Sequence, residues 1–244
     1  MKMDQYEGKV AIVTGASAGI GKAIVEALVR HGVLVAGLAR RVERVEQLAE
    51  DLSSEKGQLK AFKCDMTKEE EITSTIQQVI EEMGNIHILV NNAGLLQHTD
   101  LINGDTEKWK TTLDTNVLGL CIATREAIQN MKANDIQGHI IHINSVFGHV
   151  VPDFVNVNVY PASKFAVTAL AENLRKDITR DQLPIKITSI SPGYVKTEFE
   201  EVGGLPVLTI PPLYGPDIAE AVVYALSTPA HVNVNEITLQ AVGS

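Results

Sequence analysis

Cysteine is scarce: Cys64 and Cys121 are the only two among 244 residues. Two thiols make neither a disulfide framework nor a paired metal-ligand motif, and they fit a reduced cytosolic protein. Positive charge is also short. Twenty-one Lys and Arg against 30 Asp and Glu leave a net charge of −9. Such a surface repels phosphate backbones and anionic lipid, so no nucleic-acid partner is expected. Long apolar runs are missing too. A membrane span needs ~20 consecutive apolar residues, whereas the longest stretch, Val33 to Ala39, is strand-sized and interrupted by Gly37. The first residues, Met1 to Glu7, lack the apolar core of a signal peptide. The last five, Gln240 to Ser244, carry no prenylation or peroxisomal signal. No repeat, low-complexity tract or splitting linker interrupts the chain. The expectation is a cytoplasmic protein without a membrane span.

What is present is ordinary globular composition, 45% apolar and 21% charged. The pattern alternates strand and helix. Apolar runs at Lys9–Thr14, Leu34–Leu38, Leu59–Cys64, His87–Val90, His139–Ile143, Ile185–Ile190 and Glu236–Leu239 read as seven strands. Between them, Ile72, Ile76, Val79, Ile80 and Met83 form a helical stripe, as do Ile218, Val222, Ala225 and Leu226. Thr106 to Lys132 reads as one long helix carrying Trp109, Leu113, Val117 and Leu120, and Tyr160 to Thr179 as another. Alternating strands and helices build βαβ units, and continuous apolar strands imply burial on both faces. The expected fold is α/β: one Rossmann-type doubly wound parallel sheet of about seven strands, helices on both faces. Residues 1–244 would form a single dinucleotide-binding catalytic domain with a substrate lid at about 195–216.

The first strand runs into Thr14-Gly15-Ala16-Ser17-Ala18-Gly19-Ile20-Gly21. The spacing G-x-x-x-G-x-G differs from the usual dinucleotide fingerprint, but the physics is shared. Gly15 permits the tight turn, Gly19 lets backbone approach a pyrophosphate, and Gly21 lets helix and strand pack closely. Free N–H groups and the positive helix end then meet the anion. At the end of the second strand an NAD site usually carries a carboxylate for the ribose 2′-hydroxyl. Here the residues are Leu38-Ala39-Arg40-Arg41. Two guanidiniums suit a 2′-phosphate, and Ser17 is placed to add a hydroxyl. As mere solvated residues opening a helix, two cations would oppose the helix dipole. NADP(H) is therefore expected over NAD(H). Asp65, after the third strand, is placed to accept from the adenine amino group.

Tyr160-Pro161-Ala162-Ser163-Lys164 puts a phenol and an amine on one helical face. A free tyrosine titrates near pH 10; a neighbouring ammonium favours its phenolate, and an oxidised nicotinamide would add a second positive charge. Tyr160 then becomes an acid or base for a hydroxyl or carbonyl. Ser145 ends the fifth strand, Asn91-Asn92-Ala93-Gly94 the fourth, and Pro192-Gly193 the sixth, with Thr197 soon after. These fall at the carboxyl edge of the sheet, where open α/β sheets bind ligands. Asn116 lies in the adjacent helix.

Taken together, Thr14–Gly21, Asn91–Gly94, Asn116, Ser145, Tyr160-x-x-x-Lys164 and Pro192-Gly193 resemble the short-chain dehydrogenase/reductase family over essentially the whole chain. Gly37–Arg44, Leu113–Leu120, Tyr160–Leu170 and Leu226–Val232 are similar to the insect farnesol dehydrogenase group within it, and to related NADP-dependent dehydrogenase/reductases that accept steroid ketones. The resemblance implies a catalytic set of Asn116, Ser145, Tyr160 and Lys164. Tyr160 would be the general acid/base. Lys164 would lower its pKa and bind the nicotinamide ribose. Ser145 would hold the substrate oxygen, and Asn116 a water linking Lys164 to solvent. Asn92 and Gly94 would line the cofactor cleft. Pro192, Gly193, Val195 and Thr197 would hold the nicotinamide end. It also implies a homodimer or homotetramer through the helices beginning near Thr106 and Tyr160. Against the family pattern, the stretch from Ser145 to Tyr160 is slightly long and that from Phe199 to Pro216 short.

Two segments expected to face substrate are apolar. One carries Val146, Phe147, Val150, Val151, Phe154 and Val155. The other carries Val195, Phe199, Val202, Leu205, Val207, Leu208, Ile210 and Leu213, with Leu95 and Leu96 adding to the wall. Such a pocket favours an apolar alcohol or carbonyl over a sugar or carboxylated metabolite. Packing of the lid onto the body, or a subunit interface, would use the same residues. On the resemblance, farnesol or a similar isoprenoid alcohol comes first, and a steroid or small aromatic ketone next. His139, His142 and His149 lack a third ligand on a common face, so no metal site is expected.

Overall fold

The computed structural model describes residues 3–153, 157, 159–199 and 210–243. Its sheet is built from β1 (Val10–Thr14), β2 (Leu34–Ala39), β3 (Gln58–Lys63), β4 (Ile86–Asn91), β5 (His139–Ile143), β6 (Lys186–Pro192) and β7 (Glu236–Leu239). The spatial order is β3-β2-β1-β4-β5-β6-β7, with every pairing parallel. The chain winds outward from β1 to β3, returns to β4 beside β1, and winds outward again. That reversal opens a crevice beyond the carboxyl ends of β1 and β4.

The helices are α1 (Gly19–Arg30), α2 (Val42–Asp51), α3 (Glu69–Met83), α4 (Thr106–Leu113), α5 (Leu120–Ala133), α6 (Val159–Arg180) and α7 (Gly215–Ser227). Alternate strand residues point to opposite layers, as the period of two requires. Ala11, Val13, Ile88, Val90 and Ile141 pack with Ile24, Leu28, Ile218 and Val222 of α1 and α7. Val10, Ile12, Leu89, Ile140 and Ile187 pack with Ile72, Ile76, Ala123 and Ile178 on the other face. All five residues of β1 and of β5 are buried. The doubly wound sheet expected from the unbroken apolar runs is thus observed.

The helical stretch expected over Thr106–Lys132 is observed as a continuous run, but it is not one regular helix. It is divided by a π-helical segment, Asp114–Gly119, between α4 and α5. Each extra residue in such a turn rotates the downstream helix by about a quarter turn, so one straight stripe cannot stay buried. Leu113 is accordingly 42% exposed, while Asn116 is 2% exposed. Gly119 explains the close approach here: a Cβ on it would lie 2.3 Å from the Met66 carbonyl oxygen. The interruption turns Asn116 inward, towards the end of β4.

Candidate active site

The glycine turn is held open by side chains from β4. The Thr14 hydroxyl accepts from the Asn92 and Ala93 amides, both at 3.0 Å. Asn92 Nδ2 donates in turn to the carbonyls of Thr14 (2.9 Å) and Gly15 (3.2 Å). Gly15 (φ +68°) and Gly19 (φ +54°) occupy the left-handed region, which a side chain would strain. At Gly21 a Cβ would stand 2.2 Å from the Gly15 carbonyl oxygen. Ala18, the N-cap of α1, supplies no side-chain cap, so the first-turn N–H groups remain available to an anion. Ser17 is half-buried in the turn, and Ile20 packs against the apolar layer beneath it. These features fit a dinucleotide pyrophosphate. Asn92 is more than lining, because its amide ties the two strand ends together.

At the adenosine end, Arg40 and Arg41 are exposed just after β2. Asp65 accepts from the Thr67 amide (3.0 Å) and hydroxyl (2.9 Å) through one oxygen. Partial burial pushes its pKa up, but these bonds and the nearby Arg40 bring it net below the usual carboxylate range. Arg41 Nη1 lies 3.3 Å from Glu198, a residue not singled out in the sequence.

At the other end, Tyr160 enters on the first turn of α6, where Pro161 forfeits no helical bond. The Ser145 side chain lies near its hydroxyl and favours the phenolate. Ser145 accepts from the Phe147 amide at 3.1 Å, opening a 3-10 turn at Val146–Gly148. Lys164 Nζ lies 5.7 Å from the Tyr160 ring centre and donates to the Ile143 carbonyl at 3.0 Å. Asn116 accepts from the Leu95 amide (2.8 Å) and donates to the Leu95 carbonyl (2.9 Å) and Ser163 Oγ (3.0 Å). Ser163 donates to the Tyr160 carbonyl at 2.7 Å. Ser163 was missed in the sequence, although it is a polar residue within the Tyr-x-x-x-Lys turn. A Cβ on Gly94 would lie 3.5 Å from Asn116 Oδ1 and 3.9 Å from Lys164 Nζ, placing Gly94 between them. The four expected residues and Gly94 therefore converge.

In the chain without cofactor, burial dominates the electrostatics of this pair. Burial pushes the Tyr160 phenol up to about 12, opposed by Ser145. Burial also pushes Lys164 down to about 8. In the chain alone, desolvation outweighs the attraction between ammonium and phenolate, and the phenol stays protonated.

The apolar wall is partly as expected. Phe147 meets the Tyr160 ring edge-on at 6.4 Å, and Phe199 meets it tilted at 5.9 Å. Leu96 and Val157 complete the cluster. Val195 and Leu213 instead pair as a β-bridge and pack onto the body of the protein. Val150 and Val151, 55% and 75% exposed, face solvent. Phe154, Val155, Val202, Leu205, Val207 and Leu208, with residues 200–209 of the expected lid, lie outside the described residues. Pro192 is buried at the end of β6, and the Gly193 amide donates to Leu239 at 2.7 Å. Thr197 faces the glycine turn, its Cβ 3.2 Å from where a Gly19 Cβ would stand.

His139 and His142 are fully enclosed, and burial pushes them down to about 3 and about 4. His149 bonds Ser191 (3.2 Å) and Glu236 (2.6 Å), tying the turn after Ser145 to β6 and β7.

Comparison with known proteins agrees with this arrangement. The short chain dehydrogenase family matches residues 9–203. Farnesol dehydrogenase of Aedes aegypti is 49% identical, over 99% of each chain. Dehydrogenase/reductase SDR family member 11 of Gallus gallus is 43% identical over 98% of each. Among solved structures, an alcohol dehydrogenase from Thermococcus sibiricus complexed with 5-hydroxy-NADP superposes with a TM-score of 0.84. It is 29% identical and 97% of each chain is covered. The chain belongs to the short-chain dehydrogenase family and is an oxidoreductase.

Proposed function

We propose that this short-chain dehydrogenase transfers hydride between NADP(H) and an apolar alcohol or carbonyl, with farnesol or a similar isoprenoid alcohol preferred. The observation that carries the reading is Tyr160, with Lys164 Nζ 5.7 Å from its ring centre, set among Phe147, Phe199, Leu96 and Val157. The name of the Aedes relative supports the substrate class. Arg40 and Arg41, and the NADP derivative held by the Thermococcus enzyme, support the cofactor.

When bound, the nicotinamide supplies or accepts the hydride. Gly15, Ser17, Gly19, Ile20 and Gly21 cradle the pyrophosphate, Arg40 and Arg41 the 2′-phosphate, and Asp65 the adenine. Asn92, Gly94, Pro192, Gly193, Val195 and Thr197 shape the rest of the cleft. Ser145 orients the substrate oxygen by a hydrogen bond. Tyr160 gives that oxygen a proton in reduction and takes it in oxidation. Lys164 binds the nicotinamide ribose and lends positive charge to the phenol. Asn116 fixes Leu95 and Ser163, and through them the approach of β4 to α6. Phe147 and Phe199 exclude water from the phenol.

A cytoplasmic location is part of the proposal; among the described residues no helix is long and apolar enough to cross a membrane. Exposed Leu113, Leu118 and Phe165 support homodimers or homotetramers formed through α4 and α6. The test is a panel of farnesol, a short polar alcohol and a steroid ketone, each with NADP(H) and NAD(H). Farnesol with NADP should give the highest kcat/KM by a large factor. Equal values for farnesol and the polar alcohol would remove the apolar-pocket argument, and a preference for NAD the cofactor assignment.

A further inference from the structure

One of the two arginines placed for a ribose 2′-phosphate, Arg41, already contacts an anion supplied by the chain, and Arg44 holds that anion more closely. Both oxygens of Glu198 accept from Arg44 Nη1, at 3.0 and 2.9 Å. Glu198 Oε2 also accepts from Arg41 Nη1 at 3.3 Å. Arg44, and then Arg41, hold this carboxyl below its ordinary range despite slight desolvation. One residue earlier, Thr197 stands over Gly19. Two residues before that, Val195 bridges Leu213, and the Lys196 amide donates to Leu213 at 2.9 Å. Residues Val195 to Glu198 thus form a strap. It is rooted by backbone bonds at one end, crosses the glycine turn, and reaches Arg41 and Arg44 at the other.

The pairs are 44–49% exposed, and exposed ion pairs add little to folding stability. Their consequence lies in binding. Carboxylate and phosphate need the same face of Arg41, and a phosphate dianion arriving beside Glu198 is repelled by it. The two contacts from Arg44 are shorter than the one from Arg41. Arg41 is therefore the guanidinium that turns to the phosphate while Arg44 keeps the carboxylate.

We propose that Glu198 is an internal competitor for the 2′-phosphate subsite: it holds Arg41 until a 2′-phosphate takes that guanidinium, while its bonds to Arg44 pin the strap across the cleft. Glu198 thereby sets how strongly the protein distinguishes NADP(H) from NAD(H). This rests on the NADP(H) reading above.

The probes are 2′,5′-ADP and 5′-AMP, which differ in the 2′-phosphate and carry no nicotinamide. Each is titrated by calorimetry into the full-length wild type and Glu198→Gln, and ligand-free samples are digested with trypsin. The variant should bind 2′,5′-ADP about three- to tenfold tighter, the range expected for removing one screened charge beside a dianion. Its 5′-AMP affinity should be unchanged. Cleavage after exposed Lys196, identified by mass spectrometry, should be faster in the variant. Suppose the wild type prefers 2′,5′-ADP but the variant binds it no tighter, or tightens equally on both probes. Competition is then overturned while the cofactor reading stands. Equal cleavage rates would overturn the pinning. A wild type with no preference for 2′,5′-ADP would overturn the cofactor reading, and the competition with it.

Discussion

Lys164→Met should stabilise the protein while destroying its activity. The amine is 6% exposed, and burial lowers its pKa from 10.5 to about 8. At 1.36 kcal/mol per unit, holding it charged costs about 3 kcal/mol. Methionine matches its length without charge but forfeits the hydrogen bond to Ile143, worth about 1 kcal/mol. The net gain near neutral pH is about 2 kcal/mol, or roughly 4–8 °C in Tm for a chain of this size. The pH dependence carries a definite sign. Because the folded pKa lies below the unfolded one, the unfolded chain binds more protons between about 8 and 10.5, and wild-type stability rises with pH there. Below about pH 8 the penalty is full. The advantage of the variant should therefore be greatest near pH 7 and shrink towards pH 10. Scanning calorimetry of both proteins at the two pH values measures it. A variant that melts at or below wild type near pH 7, or a difference independent of pH, would refute the assignment of a strained buried charge.

Tyr160→Phe should lower kcat by at least about a hundredfold, since the proton-transfer group alone is removed, while calorimetric affinity for 2′,5′-ADP stays as in wild type. Retained turnover would reject the acid/base role. Because burial holds the phenol at about 12, carbonyl reduction should be flat between about pH 6 and 8. Alcohol oxidation should climb by up to about tenfold per pH unit there. Initial rates in both directions test this, and a flat oxidation profile would contradict it. Gly21→Ala drives a methyl to within 2.2 Å of the Gly15 carbonyl. It should abolish 2′,5′-ADP binding and lower Tm, and unaltered affinity would remove the turn from the binding site.

The sheet was legible because several of its strands are continuous apolar runs, while the edge strands β3 and β7 alternate between more and less buried residues. A strand buried on both faces needs no partner information to be recognised, and the seven runs match β1 to β7 within two residues at either end. The glycine turn was legible because strain and close approach leave glycine alone able to fill it. The π-helical segment at Asp114–Gly119 was hidden, since no proline marks it and the close approach beside it, Gly119 against the Met66 carbonyl, joins residues far apart in sequence. Glu198 was hidden for the same reason. A glutamate after Thr197 has no local distinction, and its meaning comes from arginines 154 and 157 residues away. Val195 and Leu213 carried the right chemistry for a substrate wall, yet it is used for packing.

The phenol and amine show how one spacing can carry two opposite electrostatic consequences. Four residues apart on a helix, Lys164 should acidify Tyr160, and on an exposed helix it would. The turn that makes them neighbours also places both against the end of β5, where Lys164 spends a hydrogen bond on Ile143. Desolvation then penalises both charges and outweighs their attraction. The pair rests as a neutral phenol beside a weakened ammonium. That state is ready to donate a proton to a carbonyl oxygen, whereas oxidation must first remove a proton from the phenol. Positive charge on an oxidised nicotinamide acts in that direction. On the proposed function, the chain without cofactor holds the proton-donating form of Tyr160, and the positive charge of an oxidised nicotinamide would favour the base that oxidation needs.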